Sequence, residues 1–352
     1  MRKRLTKIFR FSLIITLLIV LLGLFFPTWT PHIKGEQSIS TLEQVEINGT
    51  GHEIMIRGID SSNPILIFVH GGPACSEIPY VRKYQKDLEK QFTIVHYDQR
   101  GSGKSYHFFE DYSNLTTDLL VEDLLSLTDY ILERFNQEKV LLVGHSFGTY
   151  IGMKAIDKSP EKYYGYIGIG QVADVVQSEL DSLEFTLEQA KQEGNSDDIE
   201  KLMLLQPLIE KGEVRTPRNL VRKYGGAARL IDDNTDYLTG FLFNPEYNGL
   251  DIIRYLRGIH VTQEVLLNEG AKHTITEIVN QVDLPIFFVM GKFDYMTSVN
   301  AAKNYYGSME APVKEFVIFE ESAHYPQFEE KEKFTLWLNK TFDKLQNGAV
   351  EF

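Results

Sequence analysis

With 352 residues and a formal charge of −13, the chain has room for one large domain with an insertion or for two small ones. Its 43% hydrophobic residues can bury a sizeable core, and the acidic balance excludes nucleic acid as a partner, because phosphate binding needs clustered Lys and Arg. The single cysteine, Cys75, excludes an intrachain disulfide and reads as a small buried residue.

Arg2, Lys3, Arg4, Lys7 and Arg10 make a basic segment over residues 1–10. An uncharged apolar run follows over residues 11–26. Extended to Trp29 it reaches the about 17–25 residues of a spanning helix and ends on an interfacial aromatic. No small-x-small cleavage site and no cysteine follows. Residues 11–29 are therefore expected to form a transmembrane signal anchor. The positive-inside rule keeps the basic segment cytoplasmic and places the rest on the extracytoplasmic side of the cell membrane, single-pass. Residues 30–43 are polar, carry Pro and Gly, and read as a tether.

Alternation on either side of Asn48-Gly49-Thr50-Gly51 signals a hairpin. Short continuous apolar runs at 64–69, 92–97, 140–143 and 166–169 read as strands buried on both faces. Between them lie helical patterns at about 80–90, 117–135 and 148–157. In the second, Leu119, Leu120, Leu124, Leu127, Ile131 and Leu132 share one stripe. Alternating β and α elements imply a mostly parallel central sheet with helices on both faces. The rhythm breaks over 171–280, where charged helical patterns dominate. It resumes with strands at 284–290 and 314–319 and a last amphipathic helix at 327–345. The simplest arrangement is one sheet domain, 44–170 and 281–347, interrupted by an inserted helical lid, 171–280.

Gly144-His145-Ser146-Phe147-Gly148 fits G-x-S-x-G, follows a strand and opens a helix. In that context Ser146 is held on a sharp turn with its hydroxyl raised above the sheet. A serine hydroxyl is a weak nucleophile and needs a base. Asp294 ends the strand 284–290 and His324 follows the strand 314–319, which gives the chain order Ser, Asp, His. His145 adjoins the nucleophile and is expected to pack rather than react. His70-Gly71-Gly72-Pro73 ends the strand 64–69, so the backbone N–H groups of Gly72 and Phe147 are the candidate oxyanion hole. The loop Asp98-Gln99-Arg100-Gly101-Ser102-Gly103-Lys104-Ser105 lacks the spacing of a phosphate loop and reads as a structural turn, with Arg100 pairing nearby carboxylates.

Together these motifs resemble the proline iminopeptidase family of α/β-hydrolases over roughly residues 45–345. The likeness rests on His70-Gly71-Gly72-Pro73, the Asp98–Ser105 loop, the turn at Ser146 and the loops of Asp294 and His324. The chain departs from the family pattern at Ala74, where Gly is usual, and at His145 and Phe147, where Gly and Trp are common. The resemblance implies release of an N-terminal residue, often proline, with no metal or other cofactor. It also implies lid carboxylates that bind the substrate's free amine. Glu179, Glu184 and Glu188 are the candidates, and Glu184 and Glu188, four apart, share a helix face. Three readings stay open: an anchored aminopeptidase, an anchored esterase, lipase or amidase acting on acyl substrates near the membrane, and a non-enzymatic binding module on a hydrolase scaffold.

Overall fold

The structure is a computed structural model that describes residues 2–347; Met1, residues 348–352 and the side chains of residues 2–6 and 8, which hold most of the basic cluster, lie outside it. The first helix, α1, spans Arg2–Phe25. Its side chains from Phe9 to Phe25 are largely exposed apolar ones. Among the described residues no helix is long and apolar enough to cross a membrane. The span expected over 11–29 is corrected at its end as well: Pro27 has no N–H and disfavours helix in the residue before it, and the chain leaves the helix at Phe25.

The hairpin is present as β1 (Ile39–Ile47) and β2 (Thr50–Gly58), longer than its apolar core suggests. Next come β3 (Ile65–Val69), a single helical turn α2 (Ile78–Val81), β4 (Thr93–Tyr97), α3 (Thr117–Phe135), β5 (Val140–His145), α4 (Phe147–Lys158) and β6 (Tyr163–Ile169). The long helix expected over 80–90 is not formed. Only α2 and a 3₁₀ turn at Leu88–Lys90 occupy that stretch. By contrast α3 matches its stripe: Leu120, Leu124, Leu127 and Ile131 are buried, the Thr116 side chain caps its start by accepting from Leu119 N–H, and Asn136 ends it in the left-handed region.

Between β6 and the next strand, the described residues form helices only: α5 (Val175–Gln192), α6 (Ser196–Ile209), α7 (Arg218–Lys223), α8 (Asp233–Phe243), α9 (Gly249–Lys272) and α10 (Ile275–Ile278). The sheet then resumes with β7 (Ile286–Gly291), α11 (Val299–Ser308) and β8 (Lys314–Phe319). The single last helix expected is two, α12 (Pro326–Glu329) and α13 (Lys331–Gln346), separated at Glu330, whose carboxylate turns back to Ser322 and the Glu321 N–H.

The eight strands order as β1-β2-β4-β3-β5-β6-β7-β8, antiparallel at the hairpin and parallel from β4 onward. Alternate residues of each strand feed two cores. Ile65, Ile67, Leu142 and Phe288 pack with α3 and α4, while Leu66, Leu141, Val143 and Phe287 pack with Phe334, Leu338 and Phe342 of α13. The chain runs from β3 outward to β4 and returns to the other side of β3 as β5. The carboxyl ends of β3 and β5 therefore flank a topological switch point, where open sheets of this kind leave a crevice.

The stretch expected as a tether, 30–43, is corrected at both ends: residues 39–43 already belong to β1, and its start, with the residues just before it, is bound to the domain. Trp29 N–H donates to the Pro245 carbonyl at 3.0 Å, and Asn248 Nδ2 donates to the Phe26 carbonyl at 2.9 Å. Arg57, buried, donates to Thr30 Oγ1 at 2.6 Å and to the Pro31 carbonyl at 2.7 Å, and pairs with Glu89 at 2.7 Å. Removing the guanidinium leaves Glu89 buried without its partner. Arg57→Ala should therefore cost about 3–5 kcal/mol of stability and expose residues 27–34 to limited proteolysis. A loss below about 1 kcal/mol by chemical denaturation would show that this segment is held by other means.

Candidate active site

Ser146 stands between β5 and α4 at φ 54°, ψ −126°, a conformation that L-residues rarely adopt. It is held there by close backbone approach. A Cβ on Gly71 would lie 2.6 Å from that of Ser146, and one on Gly148 would collide with the Val69 carbonyl. Ser146 N–H is fixed to the Ile169 carbonyl at 2.9 Å, and its side chain stays partly accessible at the head of α4. Phe147 opens α4, where a first-turn N–H has no acceptor within the helix.

The ends of β7 and β8 bring in the other two residues. His324 Nδ1 lies 2.8 Å from Asp294 Oδ2. The other Asp294 oxygen accepts from the Met296 and Thr297 N–H groups, both at 2.9 Å, and Thr297 Oγ1 donates to Oδ2 at 2.9 Å. The carboxylate is thus saturated by donors and fixed in orientation. Ser146, His324, Gly72 and Phe147 line one cavity of about 480 Å³, and Asp294 is buried behind it.

The loop after β4 braces the loop after β3. Gln99 N–H donates to His70 Nε2 at 3.1 Å, Gln99 Nε2 donates to the His70 carbonyl at 2.6 Å, and His70 Nδ1 faces the Gly71 carbonyl at 3.0 Å. Burial pushes the His70 pKa down to about 4, so the imidazole is neutral, as an Nε2 that accepts from Gln99 N–H beside an Nδ1 that faces the Gly71 carbonyl requires. Arg100 pairs with Asp123 through Nε at 2.8 Å and Nη2 at 2.9 Å, and reaches Glu110 at 3.3 Å.

This geometry can be set beside known proteins. The model of the alpha/beta hydrolase fold family matches residues 64–331. The chain belongs to the α/β-hydrolase family. It is 30% identical over 315 residues to "Probable aminopeptidase YbaC" of Bacillus subtilis (strain 168), covering 88% of this chain and 98% of that one. It is 23% identical over 316 residues to a "Proline iminopeptidase" of Saccharolobus solfataricus, covering 82% and 87%. The solved proline iminopeptidase of Mycobacterium smegmatis shares the fold at a TM-score of 0.64 and 14% identity, over 88% of this chain and 100% of that one. The chain is thus a hydrolase similar to proteins named aminopeptidase and proline iminopeptidase.

Within this α/β-hydrolase frame the departures from the family pattern have local consequences. Ala74 takes φ 64°, the left-handed region that a glycine would occupy without strain. His145 packs, as expected, but in a charged setting. Its Nδ1 faces Glu77 Oε1 at 2.6 Å and its Nε2 faces the His324 carbonyl at 3.0 Å. Both partners accept, so the ring must hold two protons. Burial alone would lower the His145 pKa; the Glu77 carboxylate and the His324 carbonyl outweigh it and raise it. Burial would likewise raise Glu77, and His145 outweighs it and lowers it. Cys75 also lines the cavity, its thiol pushed up to about 11 by burial.

The amine-binding candidates are separated by the structure. Glu184 and Glu188 lie on the exposed face of α5 and do not line the cavity, whereas Glu179, nearer the start of the same helix, does. Glu179 accepts from Thr216 N–H at 2.8 Å and is held by both terminal nitrogens of Arg218. Sequence reasoning missed Glu77, for which no motif speaks. It also missed Arg215, which precedes α7, and Arg218 and Arg222, whose spacing of four was a readable sign of a shared face of that helix.

The Glu77–His145 pair makes a pH prediction. The raised His145 pKa contributes stability that is complete below the ordinary 6.5 and lost as pH rises through the raised value. The lowered Glu77 pKa contributes stability that is complete above the ordinary 4.5 and lost as pH falls through the lowered value. Glu77→Gln should therefore lower Tm most at about pH 5–6, with the gap narrowing toward alkaline pH. A Tm gap that stays constant from about pH 5 to 9 would exclude an ionised pair.

Proposed function

We propose that this chain is a serine hydrolase working through an acyl-enzyme, and that it is an aminopeptidase of the proline iminopeptidase type. The carrying observation is the oriented His324–Asp294 pair beside an accessible Ser146 in one cavity. In this reading Ser146 Oγ attacks the scissile carbonyl while His324 Nε2 takes its proton. Asp294 accepts from Nδ1–H and stabilises the imidazolium that forms. The Gly72 and Phe147 N–H groups receive the oxyanion. Collapse breaks the C–N bond, the His324 proton goes to the leaving amine, and a water, activated in turn by His324, hydrolyses the ester on Ser146. The helical segment over 171–280 acts as the lid that shapes the cavity.

The relatives' names support the aminopeptidase reading, and so does Glu179. A carboxylate has about four acceptor sites. Three donors occupy Glu179, which leaves one site for a substrate ammonium that would otherwise be desolvated without a partner. The second reading, an esterase or amidase for acyl substrates, is favoured by one observation: Arg218 already neutralises Glu179.

One panel tests these readings. Ser146→Ala and His324→Ala should each lower kcat by about 10⁴-fold or more, and Asp294→Asn by about one to two powers of ten less. A fluorophosphonate probe should label the wild type and not Ser146→Ala; equal labelling would remove Ser146 as nucleophile. A free N-terminal prolyl peptide should be cleaved and its N-acetylated form spared, with Glu179→Gln raising KM for the free amine. Equal cleavage of both forms would leave the esterase or amidase reading.

We also propose that α1 holds the protein at the cell membrane, with the remainder on the extracytoplasmic side. Its exposed apolar side chains and the basic residues before them support this. The protein should stay with membranes after a high-salt wash, and a reporter fused after Phe352 should lie outside the cytoplasm. Recovery in the soluble fraction at full length would refute it.

A further inference from the structure

The cavity that holds Ser146 is lined by one guanidinium that, among the described residues, no carboxylate pairs. Three guanidinium groups line it, those of Arg215, Arg218 and Arg222, against two carboxylates, Glu77 and Glu179. Glu77 is taken up by His145 and Glu179 by Arg218. Arg222 pairs with Asp233, outside the lining, through Nε at 3.1 and 3.2 Å and Nη2 at 2.8 Å. Arg215 remains. One of its N–H groups donates to the Leu267 carbonyl at 3.0 Å, and among the described residues no carboxylate lies within ion-pair distance of it.

An arginine so placed is costly without a ligand. Arg215 is half-buried and burial acts against its charge, although a guanidinium keeps that charge at any working pH. Glu179 and Glu264 act on it only through space, and Arg218 opposes them. Glu264 is exposed, so water screens it. The fork of N–H groups left open matches a planar carboxylate, which can accept two parallel bonds. The Leu267 carbonyl fixes the group from the α9 side and aims the remainder at the cavity. A volume of about 480 Å³ holds a molecule the size of a dipeptide, so an anion bound there lies within a residue or two of the bond at Ser146.

We propose that Arg215 receives a carboxylate of the substrate, and that the enzyme prefers short peptides whose terminal carboxylate lies next to the scissile bond. The inference rests on Ser146 as nucleophile and refines the aminopeptidase reading. It gives the substrate two charged ends, with the ammonium toward Glu179 and the carboxylate toward Arg215. A long peptide, which carries a neutral amide at that place, loses the second contact.

Two matched pairs test it and separate the two places a carboxylate can come from. Pro-Ala against Pro-Ala-amide varies the leaving group; Glu-4-nitroanilide against Gln-4-nitroanilide varies the acyl side. The wild type should cleave Pro-Ala with a kcat/KM at least about tenfold above its amide, expressed mainly in KM, with no such preference in the second pair. Arg215→Gln should bring the acid-to-amide ratio to about one. Arg215→Lys, which keeps the charge but not the fork, should hold an intermediate ratio. A preference confined to the glutamyl pair and lost in Arg215→Gln would move the carboxylate to the acyl side and overturn the terminal-carboxylate assignment. A wild-type ratio near one in both pairs, or a preference that survives Arg215→Gln, would overturn the role of Arg215 altogether. If no peptide is cleaved, the aminopeptidase reading fails by itself. Arg215 is then judged on the 4-nitrophenyl esters of succinate and butyrate by the same ratio and the same variants.

Discussion

The site depends on how closely three stretches of backbone meet at Ser146. The end of β3, the end of β5 and the start of α4 approach until neither Gly71 nor Gly148 can carry a side chain. Holding a serine at φ 54° costs on the order of 1–3 kcal/mol. That cost is offset by the surrounding packing, since β3 and β5 are buried along their whole length. The close approach also sets the directions of the reacting groups. The serine stands at the head of α4 with its side chain partly accessible, and the β3 loop brings Gly72 to the same cavity. The loop 98–105 then holds that arrangement from behind through Gln99 and a neutral His70.

Most of the charge around the site is paired, with Arg215 the exception, and the pairs also set positions. His145 could have been an inert neighbour of the nucleophile. As an imidazolium between Glu77 and the His324 carbonyl, it instead ties the turn at Ser146 to the loop that carries the base. Arg100 does the same between the hairpin and α3, reaching the Asn48 carbonyl at 3.1 Å while it binds Asp123. Buried pairs of this kind add little net stability over an apolar core, but they specify where loops go.

The sequence was most readable where one physical signal dominated. Continuous apolar runs marked β3, β4, β5 and β7, because those strands are buried on both faces. The stripe of α3 and the turn at Ser146 were equally plain. The fold and the family followed from these. Legibility failed where long-range contacts decide. The stretch 80–90 has helical spacing, yet Glu77, Gln85 and Glu89 are drawn into bonds with His145, His96 and Arg57, and only one helical turn survives. The tether and the residues just before it looked free because their partners, Arg57, Pro245 and Asn248, lie farther along the chain. On α5 the spacing of Glu184 and Glu188 was real. Which face meets the cavity is set by packing against α6, and that brings Glu179 there.

The helical segment is not an independent cover over a finished site. His324 N–H donates to the Ala227 carbonyl at 3.0 Å, and Tyr295 N–H donates to the Gly226 carbonyl at 2.9 Å. Glu329 Oε2 accepts from Arg229 N–H at 2.8 Å and Leu230 N–H at 2.9 Å. These bonds fasten residues 226–230 to the loops that carry Asp294 and His324. The same residues directly follow α7, which presents Arg218 and Arg222 to the cavity. The wall of the cavity and the loop that positions His324 therefore share one piece of backbone. The α5–α6 pair shares with Leu220 of α7 a small core of Leu183, Leu202 and Ile209, and it reaches α11 through Ser298, bonded to Ser178 and Asp181. A change that reshapes α6 can be absorbed within that small core. A change at 222–230 reaches His324 through one backbone hydrogen bond, so it alters the placement of His324 together with the shape of the cavity.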